Sequence, residues 1–250
     1  MVEKGKKTIG KLIKVLPRKQ LLTFISNRAL YEHIERVLQI VNTAALKGEK
    51  ELYKNVVDPF SAVFDAMRQE ITLEHWLEQE RARQIQKTMQ NALGEFHEYV
   101  LGSMPGWEKL PVGHLIDVRN KKLKIIAEVK NKYNTTKGSD LKTIYDNLKS
   151  KLGKSYVGFT GYYVEVVPRN KIPYNKPFTP PDNVTKQKRP KNNNIRVIDG
   201  RSFYALAAGE KDALRRLYRA FPKVIGDILG RSPERILRDR FFQEIFDKAY

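Results

Sequence analysis

The sequence predicts an α/β protein: a mixed sheet flanked by helices, with helical extensions at both ends. Three observations carry this. Two short apolar runs, 112–118 and 123–130, enclose the polar turn Arg119-Asn120-Lys121-Lys122, the pattern of a β hairpin. In the second run, Ile125-Ile126-Ala127-Glu128-Val129-Lys130, the apolar residues have the β-branched character of a buried strand. A helix-spaced stretch then separates this hairpin from another apolar run, 156–167. Such a crossover implies parallel pairing with a right-handed connection.

Taken in order, residues 1–18 form a lysine-rich basic arm, suited either to lie along a phosphate backbone or to act as a solubilising tail. Residues 19–110 read as mainly helical. Ser26-Asn27 can cap a helix through Leu30, Ile34, Val37, Leu38 and Val41, with Lys47-Gly48 as its stop. Asp58-Pro59 opens a shorter helix whose Phe60, Val63, Phe64 and Met67 are read as packing residues. Thr72 caps a long helix to about Val100, with Leu73, Trp76, Leu77, Ile85, Met89, Leu93, Phe96 and Val100 as its apolar stripe. The cluster Gly102-Ser103-Met104-Pro105-Gly106 is a turn, and Trp107 after it is read as a core anchor.

Residues 111–208 form the α/β core. Ser139 caps the crossover helix through Leu141, Ile144, Tyr145, Leu148 and Leu152, and Gly158 and Gly161 suggest a bend near the start of the 156–167 strand. Six prolines break up 168–194 amid Lys, Arg and Asn, so this reads as a basic loop without regular structure. Residues 195–198 form a strand ended by Asp199-Gly200, and 202–208 a helix. The tail, 209–250, is helical, with Leu214, Leu217, Phe221, Ile225 and Leu229 inward and a last helix starting at Ser232-Pro233-Glu234. It either completes the core or forms a dimer surface. With no repeat and no clean linker, the chain reads as a single domain.

Composition narrows the function classes. A formal net charge of +19 favours a polyanionic partner: DNA, RNA or an acidic membrane surface. The absence of cysteine excludes disulfides, thiolate zinc sites and cysteine nucleophiles. His33, His75, His97 and His114 are scattered without ligand spacing. There is no apolar run of membrane-spanning length, and the N-terminus lacks the apolar core of a signal peptide, so a cytoplasmic protein is expected.

The chemistry concentrates in the hairpin. On a strand, Glu128 and Lys130 point the same way while Val129 points to the other side. Charges at the end of a core strand need a reason, because unpaired burial is costly. Carboxylates on neighbouring strands, Asp117 and Glu128, can hold a hard ion such as Mg2+, while Lys130 orients a water or stabilises negative charge. Those are the parts of a metal-assisted phosphodiester hydrolase. An acid-x-lysine triplet alone is weak, since a sheet-edge ion pair has the same form. Asp140-Leu141-Lys142 is a second triplet, incidental because helical spacing separates its two side chains. Asp117 on the preceding run is what moves the balance towards a site.

The Asp…Glu-x-Lys hairpin resembles the signature of the PD-(D/E)xK nuclease superfamily. The string Ile-Ile-Ala-Glu-Val-Lys-Asn-Lys-Tyr-Asn-Thr-Thr-Lys-Gly, 125–138, is similar to type II restriction endonucleases of the group that cuts GGNCC. Further blocks agree in order: Val57-Asp58-Pro59-Phe60-Ser61, Arg83-Gln84-Ile85-Gln86-Lys87, Gly106-Trp107-Glu108, Gly161-Tyr162-Tyr163-Val164-Glu165, Asn175-Lys176-Pro177-Phe178-Thr179-Pro180 and Ile195-Arg196-Val197-Ile198-Asp199-Gly200. One departure is Ile116 in place of the proline that precedes the first acid of the signature.

The resemblance implies a restriction-endonuclease-like core and Mg2+-dependent double-strand cleavage of DNA at a short palindrome, as in a restriction-modification system. Asp117, Glu128 and the Val129 carbonyl would hold metal, and Lys130 would act on the water and the phosphate. The helix before the hairpin would supply an auxiliary acid, Glu95, with Glu80 second. A palindromic target implies a homodimer. Beside the site, Asn131, Lys132, Asn134, Thr135 and Lys137 are suited to DNA contact, and so are Arg189, Asn192, Asn194 and Arg196 further on. Two rivals stay open: a repair or recombination nuclease of the same superfamily, and a non-catalytic basic nucleic-acid-binding protein.

Overall fold

The structure is a computed structural model that describes residues 16–46, 52–111, 113–136, 138–182, 185 and 187–250. Nearly all of the predicted basic arm, the Lys47-Gly48 stop and Lys137 therefore lie outside the described residues. Contacts gather into two compact units, one of residues 35–93 and one of 1–34 with 94–250. Among the described residues, no helix is long and apolar enough to cross a membrane.

A six-stranded mixed sheet organises the larger unit. Its strands are β1 (Trp107–Lys109), β2 (Val118–Asn120), β3 (Ile125–Lys132), β4 (Thr160–Val167), β5 (Asn175–Pro177) and β6 (Ile195–Asp199), in the spatial order β1-β2-β3-β4-β6-β5. The first three are antiparallel, β3, β4 and β6 run parallel, and β5 is antiparallel to β6. The crossover helix, Gly138–Lys154, joins β3 to β4 as its spacing predicts. It covers one face of the sheet, where Ile144, Tyr145 and Leu148 meet Ile126, Tyr163, Ile195 and Val197. Helix Gly200–Ala208 lies on the other face. Its Phe203 ring meets those of Trp107 and Tyr162, and Trp107 Nε1 donates to the Ala207 carbonyl at 3.2 Å.

Asp199 has two roles: last residue of β6 and N-cap of this helix, accepting from Ser202 N at 2.9 Å. The helix therefore starts at Gly200, two residues before the sequence places it. A Cβ at Gly200 would come within 2.2 Å of the Val166 carbonyl oxygen, so only glycine lets the helix start against β4. Several expectations are corrected. Residues 113–117 form no strand, and Arg119 and Asn120 belong to β2 rather than to the turn. Arg119 is held there by a cross-strand pair with Glu108, Nε to Oε1 2.5 Å. The 168–194 segment is not wholly irregular: β5 adds an edge strand despite Pro177, which an edge tolerates. In helix Ala213–Leu229 the buried side is Leu214, Leu217, Val224 and Ile228, with Leu229 exposed. Pro222 lies inside that helix, between the two halves of the stripe. The last helix is two pieces, Glu234–Leu237 and Phe241–Ala249.

In the smaller unit, Asp58 caps helix Pro59–Gln69 by accepting from Phe60 N at 3.0 Å. Its buried face is Ala62 and Ala66, against Trp76 of helix Leu73–Gly102. The side chains expected to pack are the ones turned outward: Phe60 is 85% exposed, Phe64 74% and Met67 76%.

Candidate active site

The two residues of the acid-x-lysine triplet stand in the C-terminal part of β3, past Ala127, where the antiparallel ladder with β2 has ended and the parallel ladder with β4 continues. Lys130 Nζ lies 2.6 Å from Glu128 Oε1. Register sets Glu128 beside Tyr163 and Lys130 beside Glu165 on β4. Strand alternation then puts Ile126, Glu128, Lys130, Tyr163 and Glu165 on one face. That face is apolar where the strands begin and charged where they end.

Asp117 sits one residue before β2, and its backbone is held on both sides. Its N–H donates to the Ala127 carbonyl at 2.9 Å, and its carbonyl accepts from Leu110 N at 2.7 Å. Its carboxylate Oδ2 accepts from Val129 N at 2.7 Å. Alternation along β3 directs the backbone groups of Ala127 and Val129 to the same edge. Since β2 pairing begins at Val118 and Ala127, the Val129 carbonyl projects on the Asp117 side, past the ladder.

A third carboxylate comes from helix Leu73–Gly102. Glu98 is ion-paired with Lys109 of β1, and its charge is felt at Glu128 and Lys130. Three carboxylates thus face two ammonium groups. Burial, reinforced by Asp117 and only partly offset by Lys130, pushes Glu128 up to about 7. Burial also raises Asp117, against the Val129 hydrogen bond and the lysines, and it raises Glu98 with help from Asp117. Lys130 responds the other way: burial pulls it down, but Glu128, Asp117 and Glu98 outweigh that and hold it above its ordinary value. Burial is thus the main cause at the carboxylates, and the neighbouring carboxylates are the cause at Lys130.

Among the described residues, no group of three or more His, Cys, Asp or Glu side chains could hold a metal ion by itself. The donors that this end of β3 and Asp117 would offer are two carboxylates and one backbone carbonyl, all oxygen. This set fits a hard cation that keeps several waters, and such a cation would neutralise the negative excess.

The other predicted residues are distributed as follows. Asn131 and Lys132 end β3, and Asn134 and Thr135 lie exposed in the turn after it. Asn131 is close to the helix at Gly94, whose Cβ would stand 3.7 Å from its Cβ. Glu95, one turn before Glu98, is exposed. Glu80 belongs to the smaller unit and is tied to Arg83 at 2.5 Å and Gln84 at 3.0 Å. Arg189 is engaged internally, 2.5 Å from Asp146 on the crossover helix and 3.8 Å from Asp182. Arg196 donates to Asn175 Oδ1 and to its carbonyl, both at 2.6 Å. Asn192 Oδ1 accepts from Asn194 N at 2.9 Å. Residues 192–194 precede β6, at the end of the sheet where the parallel strands begin, whereas Lys130 stands where β3 ends.

Sequence reasoning missed Glu98, Lys109 and Glu165. Helical spacing puts Glu98 one turn beyond Glu95, so that signal was present; choosing between them needs the rotation of the helix against the sheet. Glu165, whose carboxylate accepts from the Tyr174 hydroxyl, becomes a neighbour of Lys130 only through the β3–β4 register.

Comparison with known proteins bears on the family. The family model described as Eco47II restriction endonuclease matches residues 22–230. The chain is similar to the type II restriction enzyme Eco47II of Escherichia coli, 41% identical over 213 residues that cover 84% of this chain and 89% of that one. It is also similar to the type II restriction enzyme Sau96I of Staphylococcus aureus, 31% identical over 211 residues, 82% of this chain and 80% of that one. No solved structure matches it.

Proposed function

The chain belongs to the Eco47II restriction endonuclease family, and from that premise we propose Mg2+-dependent double-strand cleavage at a short palindromic site, GGNCC. It is a type II site-specific deoxyribonuclease, which removes the repair-nuclease and non-catalytic readings. Enzymes of this kind act on DNA and generally use a divalent metal. Supporting the assignment of Asp117, Glu128 and Lys130 as catalytic is one contact above all: the hydrogen bond from Val129 N that holds the Asp117 carboxylate against the strand bearing the other two.

Asp117, Glu128 and the Val129 carbonyl would hold the metal, which when bound polarises the phosphoryl oxygen and eases deprotonation of water. Lys130, kept as an ammonium at neutral pH, acts as a donor rather than a base. It orients the attacking water and stabilises charge developing on the phosphate. Glu98, anchored by Lys109, is the acid from the preceding helix in the role first given to Glu95. Asn131, Lys132, Asn134 and Thr135, directly beyond the site, contact DNA. Lys137 and Arg189 are proposed DNA contacts as well; Asn192, Asn194 and Arg196, at the end where the parallel strands begin, would reach DNA as a separate contact region, and the two arginines would exchange internal bonds for phosphates or bases. The enzyme works as a cytoplasmic homodimer with each copy one nuclease domain, the two compact units being parts of it.

Digesting a sequenced plasmid with Mg2+ and mapping the ends tests this. Discrete fragments ending within GGNCC are expected, and Lys130→Ala and Glu128→Ala should each abolish cutting while DNA binding persists. Full activity of either variant would overturn the site, and fragments ending elsewhere would overturn the recognition sequence alone.

A further inference from the structure

Helix Pro59–Gln69 is seated by the Ala62 and Ala66 side, yet its larger apolar side chains lie on the opposite side. Phe60, Val63, Phe64 and Met67 follow i, i+3, i+4, i+7 and therefore form one stripe. They are 85%, 54%, 74% and 76% exposed, and Val56, just before the helix, is 97% exposed. Five such side chains, two of them Phe at about 150–250 Å2 each, present on the order of 600–700 Å2. That is above the largest apolar patch of most monomers and close to the roughly 800 Å2 that each partner gives to a standard interface.

The local charges tell which partner the stripe suits. Residues 55–67 contain no Lys or Arg, although the chain as a whole carries +19, so this stretch is the wrong surface for phosphates. Its two acids have local partners: Asp58 accepts from Phe60 N and from Ser61 Oγ at 2.6 Å, and Asp65 accepts from Arg68 at 2.6 Å and Gln69 at 2.7 Å. What remains is an apolar ridge without a cation, with Asp58 at its edge, self-complementary when two helices cross antiparallel about a point near Val63 and Phe64, which keeps the two Asp58 groups at opposite ends. Another exposed apolar group among the described residues, at Phe241 and Ile245, differs: the Arg240 guanidinium lies over the Phe241 ring at 4.5 Å.

We propose that this stripe is the docking face for a second copy of the same chain about a two-fold axis. The choice of a second copy rests on the type II reading, in which a palindrome is cut on both strands. Sedimentation velocity over micromolar concentrations tests it, with plasmid cleavage measured in parallel. The wild type is expected to be dimeric. Phe60→Glu combined with Phe64→Glu should raise the dimer dissociation constant at least about 30-fold with an unchanged circular dichroism spectrum, because burying carboxylates at the centre of an interface disrupts it.

Since the chain has no cysteine, Phe64→Cys supplies a second measurement that does not need the charged variant to fold. Mild oxidation should couple two such thiols into a disulfide-linked dimer, while Ile245→Cys stays monomeric on a non-reducing gel. A monomeric wild type, a charged variant as dimeric as the wild type, or cross-linking at 245 instead of 64 would overturn the proposal. Cleavage by a monomer would overturn this face and leave the nuclease reading standing; a dimer that does not cleave would do the reverse.

Discussion

Glu128 carries the pH dependence of the site. Its carboxyl lies near 7, above the ordinary glutamate range, because burial and Asp117 disfavour its charge. Between the ordinary range and 7 the folded, metal-free protein holds a proton that the unfolded chain has lost. This group's contribution therefore falls as pH rises through that window, by on the order of 3 kcal/mol in all. Glu128→Gln should melt higher than the wild type at pH 8 without metal, and the gap should close near pH 5. A cation binds the ionised form, so calorimetry should find Mg2+ affinity weakening as pH drops below about 7. Affinity independent of pH from 6 to 8 would contradict this. Glu98→Gln should lower cleavage roughly 10–100-fold and raise the Mg2+ requirement, as loss of a residue that supports metal ligands does. Glu95→Gln should change neither by more than about threefold; the reverse ranking would return the auxiliary role to Glu95.

At the scale of elements, the β3–crossover–β4 unit builds one face apolar at its start and charged at its end. The strand-to-helix junction at Asp199-Gly200 presses helix Gly200–Ala208 on Val166. Gly200→Ala forces a carbon against a backbone oxygen that cannot rotate away. A loss of about 1–3 kcal/mol in unfolding free energy is expected from thermal or urea melts, the size of an overpacked core position. An unchanged midpoint would mean that the junction has slack. The six-proline segment teaches a related point. Pro177 does not prevent β5, because an edge strand leaves one row of backbone groups free of partners.

For the whole molecule, the +19 charge sets how the enzyme meets DNA. Binding without cleavage, measured with Glu128→Ala, should weaken steeply with salt: about 10³–10⁵-fold between 50 and 200 mM if six to ten phosphates are neutralised. A weak salt dependence would show that the basic residues lie off the DNA path. The stretch around Phe60 and Phe64, without a single Lys or Arg from 55 to 67, stands out against this background as a surface of another kind.

Much of this was legible in the chain itself. The acid-x-lysine strand, its crossover helix, the Asp58 and Thr72 caps and the parallel return of β4 all follow from local pattern: β-branched runs, helical spacing and capping chemistry act over a few residues. The resemblance of blocks spread over about residues 57–208 pointed to the family before any geometry was known. Tertiary structure decided the rest, because it depends on how elements rotate and register against each other. Which helix acid approaches Asp117, that Glu165 stands beside Lys130, and that Arg189 is bound to Asp146 are consequences of long-range placement. So is the outward turn of Phe60 and Phe64: an amphipathic pattern fixes which residues share a face, and only the assembled fold determines which face meets the core.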